Sequence, residues 1–335
     1  MTEPPRPEEA AEPSTQTPEP RAFGLTTFTI EGRRAPALFV VGWLATLIGG
    51  GLAALTLIGI GGIAGTIIWL VGLALGAVGM VLLGGSQTVE RRAAGAAYAG
   101  PSPVLVFLVV LAASQLAGFA VGLPLSLVVS DVPRPVADLL GVLVQAGVFV
   151  GVLRLMVVGA EAMGWAEMGL RRGLGDAVRG LFNGALFAGP VILVTALLAY
   201  VVAQVVDAVP ASPLPPTGTA AGLLLHLAAG AVVAPVAEEL LFRGFALSAW
   251  RKTVGDRGAI VRSSIVFVLA HVLFVGGDGF RDAASLATVA GLARVPVAIV
   301  LGWLYVRTGS LWAPIGLHAA YNAILIVLGE AAAAG

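Results

Sequence analysis

The stretch 35-APALFVVGWLATLIGGGLAALTLIGIGGIAGTIIWLVGLALGAVGMVLLGGSQTV-89 decides the fold: it runs for 55 residues without one charged side chain. A helix needs only about 20 apolar residues to cross a bilayer. Ala35–Val89 therefore holds two such crossings, separated by the short break Gly59–Gly62. The rest of the chain continues the pattern. The hydrophobic fraction is 58% and the charged fraction 11%, against about 25% charged residues in an ordinary soluble domain. Ten charges fall in the first 34 residues, so the remainder is poorer still. A soluble globular domain is excluded, and the expected fold is an all-α, polytopic transmembrane helical bundle.

Apolar runs follow at roughly 36–58, 63–85, 103–126, 137–158, 181–205, 219–248, 263–276, 285–306 and 311–328, which predicts about nine spans. The 45 glycines suit close helix–helix approach in lipid. Residues 1–34 form a Pro- and Glu-rich start, expected to be a disordered cytoplasmic tail because it holds too little apolar surface to offset its ordering entropy. Residues 35–160 are expected to form a four-helix extension and 161–330 the functional core.

Charge placement sets the orientation. Basic residues favour the cytoplasmic side. With the N-terminus inside and nine crossings, the inner segments carry Arg33, Arg34, Arg91, Arg92, Arg171, Arg172, Arg179, Arg251, Lys252, Arg257, Arg262 and Arg307. The outer segments carry only Arg134 and Arg281. The expected localisation is the cell membrane, multi-pass, with the N-terminus cytoplasmic and the C-terminus external. A formal net charge of zero gives no footprint for nucleic acid. The absence of cysteine removes disulfides, thiolate metal sites and cysteine nucleophiles.

Ionisable groups inside apolar runs are costly in lipid and point to function. Glu238, Glu239 and Arg243 lie in AVVAPVAEELLFRGF, Phe267 and His271 in FVLAH, and His318 and Asn322 in HAAYN. Glu239 and Arg243 are spaced i, i+4, the favourable order for an ion pair. That leaves Glu238 about 100° around the helix. Counted from the nearest cytoplasmic-side Trp or Arg, Glu239, His271 and His318 share a depth of about 13–17 Å. His226 sits at the external end of its helix and reads as structural, while Arg154 can snorkel to water. Arg294, just before Pro296, can pair with a buried acid such as Asp138 or hold a substrate carboxylate.

A carboxylate, two imidazoles and an amide at one depth suit hydrolysis: the glutamate takes a proton from water, and other groups donate to the oxyanion. The same set can bind a divalent metal that activates the water. No H-E-x-x-H zinc signature and no Gly-x-Ser-x-Gly elbow is present.

In order and spacing, EELLFR, FVLAH and HAAYN resemble the E-E-x-x-x-R, F-x-x-x-H and H-x-x-x-N/D motifs of the CPBP family, which comprises type II CAAX prenyl endopeptidases and bacterial CAAX-like intramembrane proteases. The resemblance covers about residues 160–328, with GWAEMGLRRG and TGSLWAPIGLHAAYN in the same style. It implies an endopeptidase open to the cytoplasm that cuts membrane-presented peptides, lipidated or not. It implies Glu238 as general base, Glu239 tied to Arg243, His271 sharing the water, and His318 with Asn322 at the oxyanion. Phe267 and Arg294 are assigned to the substrate. The metal alternative requires a divalent ion such as zinc on Glu238, His271 and His318. The rival to an enzyme is a non-catalytic membrane partner, such as a bacteriocin-immunity or scaffold protein of the same family.

Overall fold

The computed structural model describes residues 34–56, 59–170, 173–208 and 214–334. The expected tail over 1–34 lies almost wholly outside these residues. Among the described residues there is no strand. The helices are α1 (Pro36–Leu55), α2 (Gly62–Ala93), α3 (Pro103–Val128), α4 (Arg134–Leu153), α5 (Leu174–Ala185), α6 (Ala188–Val206), α7 (Ala220–Leu227), α8 (Ala234–Glu239), α9 (Ser248–Val272), α10 (Phe280–Thr308) and α11 (Trp312–Ala334). Wide π-helical turns join some of them, at Arg154–Val158 after α4, Ala228–Val233 between α7 and α8, and Leu240–Leu247 between α8 and α9.

Eight helical stretches among the described residues are long and apolar enough to cross a membrane. One of them, Ala220–Val272, is 53 residues long. At 1.5 Å per residue it would extend about 80 Å if straight, well over twice the hydrocarbon thickness. It is not straight. Gly255 takes φ 71° and ψ 179°, a conformation open essentially to glycine alone. Beyond it the chain returns on itself: the Ser263 hydroxyl donates to the Phe242 carbonyl at 2.9 Å, across 21 residues of sequence. The stretch is therefore two antiparallel legs, and the sixth and seventh apolar runs are its two arms.

Helix ends differ from the edges of the apolar runs. α2 continues to Ala93, through Glu90, Arg91 and Arg92, and α5 begins at Leu174 rather than near 181. Hydropathy falls where the chain reaches charged residues, but the backbone ladder does not need apolar side chains to continue. The Glu90 carboxylate, buried in the bundle, accepts from the Arg34 backbone N–H just before α1. α5 is amphipathic. It places Gly180 and Gly184 against α11, and exposes Leu174, Val178 and Phe182 on its other side.

Packing grades from edge to centre. α1 rests on α2 along a glycine seam, where an added Cβ at Gly49 would strike the backbone of Gly76. The central core gathers Phe107, Phe149 and Leu153 with Phe242, Phe245, Leu247, Phe267, Leu301 and Leu311. Large apolar side chains such as Leu47, Ile63, Leu127 and Val205 face outward, as a lipid-facing surface requires. Between α4 and α5 the chain is pinned twice. Gly169, at φ 89°, accepts from the Leu311 N–H at 3.3 Å. Glu167 accepts from the Gly164 N–H at 2.8 Å and from Lys252 at 3.1 Å. These bonds, the Gly164 one foremost, hold the exposed Glu167 carboxyl below its ordinary range. Residues 164–170 and α5 are thus fastened to the same body as α9 and α11.

Candidate active site

Glu238 and Glu239 end α8, and Arg243 follows in the π-helical turn Leu240–Leu247. Arg243 and Glu239 are fully buried. Arg243 Nη1 donates to Glu239 Oε1 at 2.8 Å, and Nη2 donates to the Ala298 carbonyl of α10 at 3.1 Å. His318 Nδ1 meets the same Glu239 Oε1 at 2.8 Å. A single carboxylate oxygen therefore accepts from a guanidinium and an imidazole together. A buried ion needs such company, since an unpaired one costs several kcal/mol.

Glu238 is placed differently. It is 16% exposed at its side chain, and its Oε2 lies 3.6 Å from His271 Nε2 and 3.9 Å from His318 Nε2. Both exceed hydrogen-bond length. Glu238 Oε2 is buried without a hydrogen-bond partner in the protein. The two imidazoles are fixed through their other nitrogens. His271 Nδ1 lies 2.8 Å from the Phe267 carbonyl. A carbonyl only accepts, so this nitrogen carries the proton. His318 Nδ1 donates to Glu239 in the same way. In the neutral rings both Nε2 atoms are then lone-pair donors directed at one carboxylate oxygen.

Phe267 departs from its assignment to the substrate. It is 2% exposed and enclosed by Phe242, His271, His318 and Arg243. The Arg243 guanidinium stands 4.4 Å from its ring centroid, and the His271 ring 4.5 Å. It is a packing plate that holds the imidazoles and the cation in register, with a cation–π contact on one face. Asn322 shares the inner side of α11 with His318, but its Nδ2 donates to the Gly230 carbonyl at 2.7 Å. That carbonyl belongs to the π-helical turn Ala228–Val233, where the helix ladder is irregular. One hydrogen of the amide is thereby committed to holding the Glu-bearing leg against α11.

Arg294 reaches back to the Ala290 carbonyl at 2.7 Å. It does not pair with Asp138, whose Oδ2 instead takes His226 Nε2 at 3.1 Å and Arg134 Nε at 3.9 Å. His226, 2% exposed, is thus committed to a contact of its own between α7 and α4, outside the Glu238 cluster. Sequence reasoning missed the Ala298 and Gly230 carbonyls and the Ser248–Tyr305 hydroxyl bond at 2.7 Å that braces α9 on α10. Backbone acceptors leave no residue-type signal.

Glu238, His271 and His318 suit a divalent ion by donor type, and imidazoles anchored through Nδ1 are the usual support for metal ligands. They stand wider apart than a closed ligand shell, and no group of three or more His, Asp or Glu among the described residues closes around one point.

A helical bundle of membrane-length legs, with a carboxylate and two oriented imidazoles between them, is the arrangement of a polytopic membrane protein with a polar cluster inside its helices. Residues 220–324 match the family model described as type II CAAX prenyl endopeptidase Rce1-like, so over this segment the chain is similar to that family. The match begins at α7 and ends within α11; it takes in Glu238, Glu239, Arg243, Phe267, His271, Arg294, His318 and Asn322. No curated protein and no solved structure matches the chain.

Proposed function

We propose that the protein hydrolyses peptide bonds of membrane-presented substrates from the cytoplasmic side, using water activated by Glu238. The observation that carries this reading is the division of labour between adjacent glutamates. Glu239 gives Oε1 to both Arg243 and His318, and its Oε2, also without a partner, is sealed in a fully buried side chain. Glu238 keeps an uncommitted oxygen that faces two Nε2 atoms. A base must be free to take a proton and within hydrogen-bond reach of the water it activates.

In the proposed reaction a water lies between Glu238 and His271. Glu238 removes its proton as the oxygen attacks the peptide carbonyl carbon. His318 in its imidazolium form directs Nε2–H to the developing oxyanion, with its charge balanced through Nδ1 by Glu239. The remaining hydrogen of the Asn322 amide is a second donor. Collapse breaks the C–N bond, and Glu238 returns the proton to the leaving amine nitrogen. A divalent ion, if bound, would be held by Glu238, His271 and His318 and would lower the pKa of its water. The cytoplasmic side follows from the arginine distribution. Cysteine labelling at Leu214 and Arg257 of this cysteine-free chain should report opposite faces.

The test is purified full-length protein in liposomes, offered a library of membrane-anchored peptides with mass-spectrometric readout of products. Cleavage by the wild type and none by Glu238→Gln, at equal melting temperature, supports the reading. A wild type that cleaves no member, or a variant that cleaves equally, overturns it in favour of a non-catalytic membrane partner.

A further inference from the structure

The core takes only half of α3 and half of α4. The fully buried residues of α3 all lie between Pro103 and Ala112, and those of α4 are Phe149, Val152 and Leu153. The halves that meet at the 129–133 loop bury no residue completely. Leu127 and Val128 are 79% and 83% exposed, and Val121, Leu123, Leu140 and Leu143 also face outward. This half of α4 is nonetheless held in place, because Asp138 meets His226 of α7.

Glycines on the same halves stand open. A Cβ added at Gly118 or Gly122 of α3, or at Gly141 or Gly147 of α4, would meet no atom of this chain. The α1–α2 seam shows what a filled glycine face looks like, since there Gly49 lies against the backbone of Gly76. Small residues let helices approach closely in lipid, and on α3 and α4 that approach is unused.

Two carboxamides indicate what covers this face. Gln115 falls in line with Gly118 and Gly122, at i, i+3 and i+7, and Gln145 follows Gly141 by one turn. Gln145 is exposed and Gln115 half-buried. Neither side chain has a hydrogen-bond partner among the described residues, and the Ser114 hydroxyl beside Gln115 is buried without one. Counted from Val128 and Arg134, the two glutamines lie about 16–20 Å from the loop ends of their helices, near the middle of a hydrocarbon layer about 30 Å thick. No water reaches that depth, so an unpaired amide there is costly. An amide both donates and accepts, so two identical ones complete each other. Two copies of one chain share one orientation in a membrane. A two-fold axis along the membrane normal sets Gln145 of each copy at one depth, and Gln115 likewise. A second copy therefore matches this face in depth and in chemistry at once.

From this we infer that the loop halves of α3 and α4 form a docking face for a second copy of this chain, closed by hydrogen bonds among the Gln115 and Gln145 carboxamides over the open glycines. The face gives residues 35–160, which lie outside the matched segment 220–324, a role of their own as a dimer-forming extension. It is independent of the hydrolytic reading of Glu238.

The experiment uses the full chain in liposomes. Copies labelled at Ala334→Cys with donor or acceptor dye are mixed over a range of protein-to-lipid ratios, and energy transfer reports association. Wild type should dimerise. Gln115→Leu with Gln145→Leu should weaken the dimer at least about tenfold at unchanged melting temperature, because the interhelical hydrogen bonds are lost where no water replaces them. Monomers at every ratio overturn the inference and leave the face to lipid. A dimer that the double variant leaves unchanged overturns it as well. Should the double variant melt lower, single cysteines in the otherwise unaltered, cysteine-free chain decide. Under a short bis-thiol reagent Gly141→Cys should cross-link between copies, and Leu193→Cys on the exposed side of α6 should not. Cross-linking at Leu193 without cross-linking at Gly141 places the dimer contact elsewhere and refutes the assignment.

Discussion

Among the described residues two imidazole–carboxylate contacts are at hydrogen-bond distance, and they differ in what they leave over. At His226 the ring meets Asp138 at 3.1 Å, with Arg134 beyond it, and the contact ends there. At His318 the ring meets Glu239 at 2.8 Å, and the contact opens outward. Arg243 occupies the same oxygen, His318 still presents Nε2, and Glu238 and His271 share that side. A buried His–carboxylate contact is therefore not by itself a site. The cluster around Glu238 differs because its anchoring bonds are made through atoms other than those that would react.

The largest effect that should separate the two places is Glu238→Gln. Positioned acid–base groups contribute typically about 10²–10⁴-fold, so hydrolysis should fall by that order with little change in melting temperature. An equal loss on replacing His226 would erase the distinction. Next in size is Arg243→Met. It leaves Glu239 buried with only His318 as partner, and removing one member of a buried ion pair typically costs about 3–5 kcal/mol. Thermal unfolding in detergent should show a deep loss of stability, and a melt within a degree or two of wild type would mean that the pair does not clamp the leg.

His226→Leu should be milder. A hydrogen bond to a charged group contributes about 1.5–3 kcal/mol at most sites, and Asp138 keeps Arg134 nearby. Stability should drop modestly and kcat/KM should stay within about twofold. Smaller still is the acid-side contribution of Glu167. Its depressed carboxyl contributes stability that is fully present above the ordinary glutamate range and is lost as pH falls through the lower folded value. Glu167→Gln should flatten the fall of melting temperature at pH values below the ordinary glutamate range, and an unchanged slope there would place the acid sensitivity elsewhere. The smallest expected effect is that of a chelator. With water activated by Glu238 alone, activity should survive dialysis against it, and loss followed by recovery on adding zinc would move Glu238, His271 and His318 from acid–base work to ligation.

Much of this was legible from residue spacing. An uncharged run of 55 residues admits only membrane helices, and the order Glu239 then Arg243 gave their ion pair because i, i+4 survives even where the helix widens to π geometry. The fold-back at Gly255 could be placed, since basic residues cluster on either side of it. Less visible was the part built from backbone. The Ala298 carbonyl that takes Arg243, and the Gly230 carbonyl that takes Asn322, carry no side-chain signature. Phe267 illustrates the limit from the other direction. One turn from His271 it reads equally well as a wall of the substrate cavity or as packing beneath it, and only burial on every side by Phe242, Arg243 and two imidazoles decides.

The turn at Gly255 also bears on the order in which the protein is made. Glu238, Glu239, Arg243, Phe267 and His271 all lie within the one stretch Ala220–Val272. As that hairpin leaves the ribosome it can bring Glu238, the Glu239–Arg243 pair and His271 together through contacts close in sequence, the kind that form fastest. His318 arrives only with the last helix, Trp312–Ala334. Until then Glu239 lacks its second partner and Glu238 faces a single imidazole, so a nascent or truncated chain carries an assembled half-site without its closing group. Emergence of Trp312–Ala334 is thereby the step that completes the cluster.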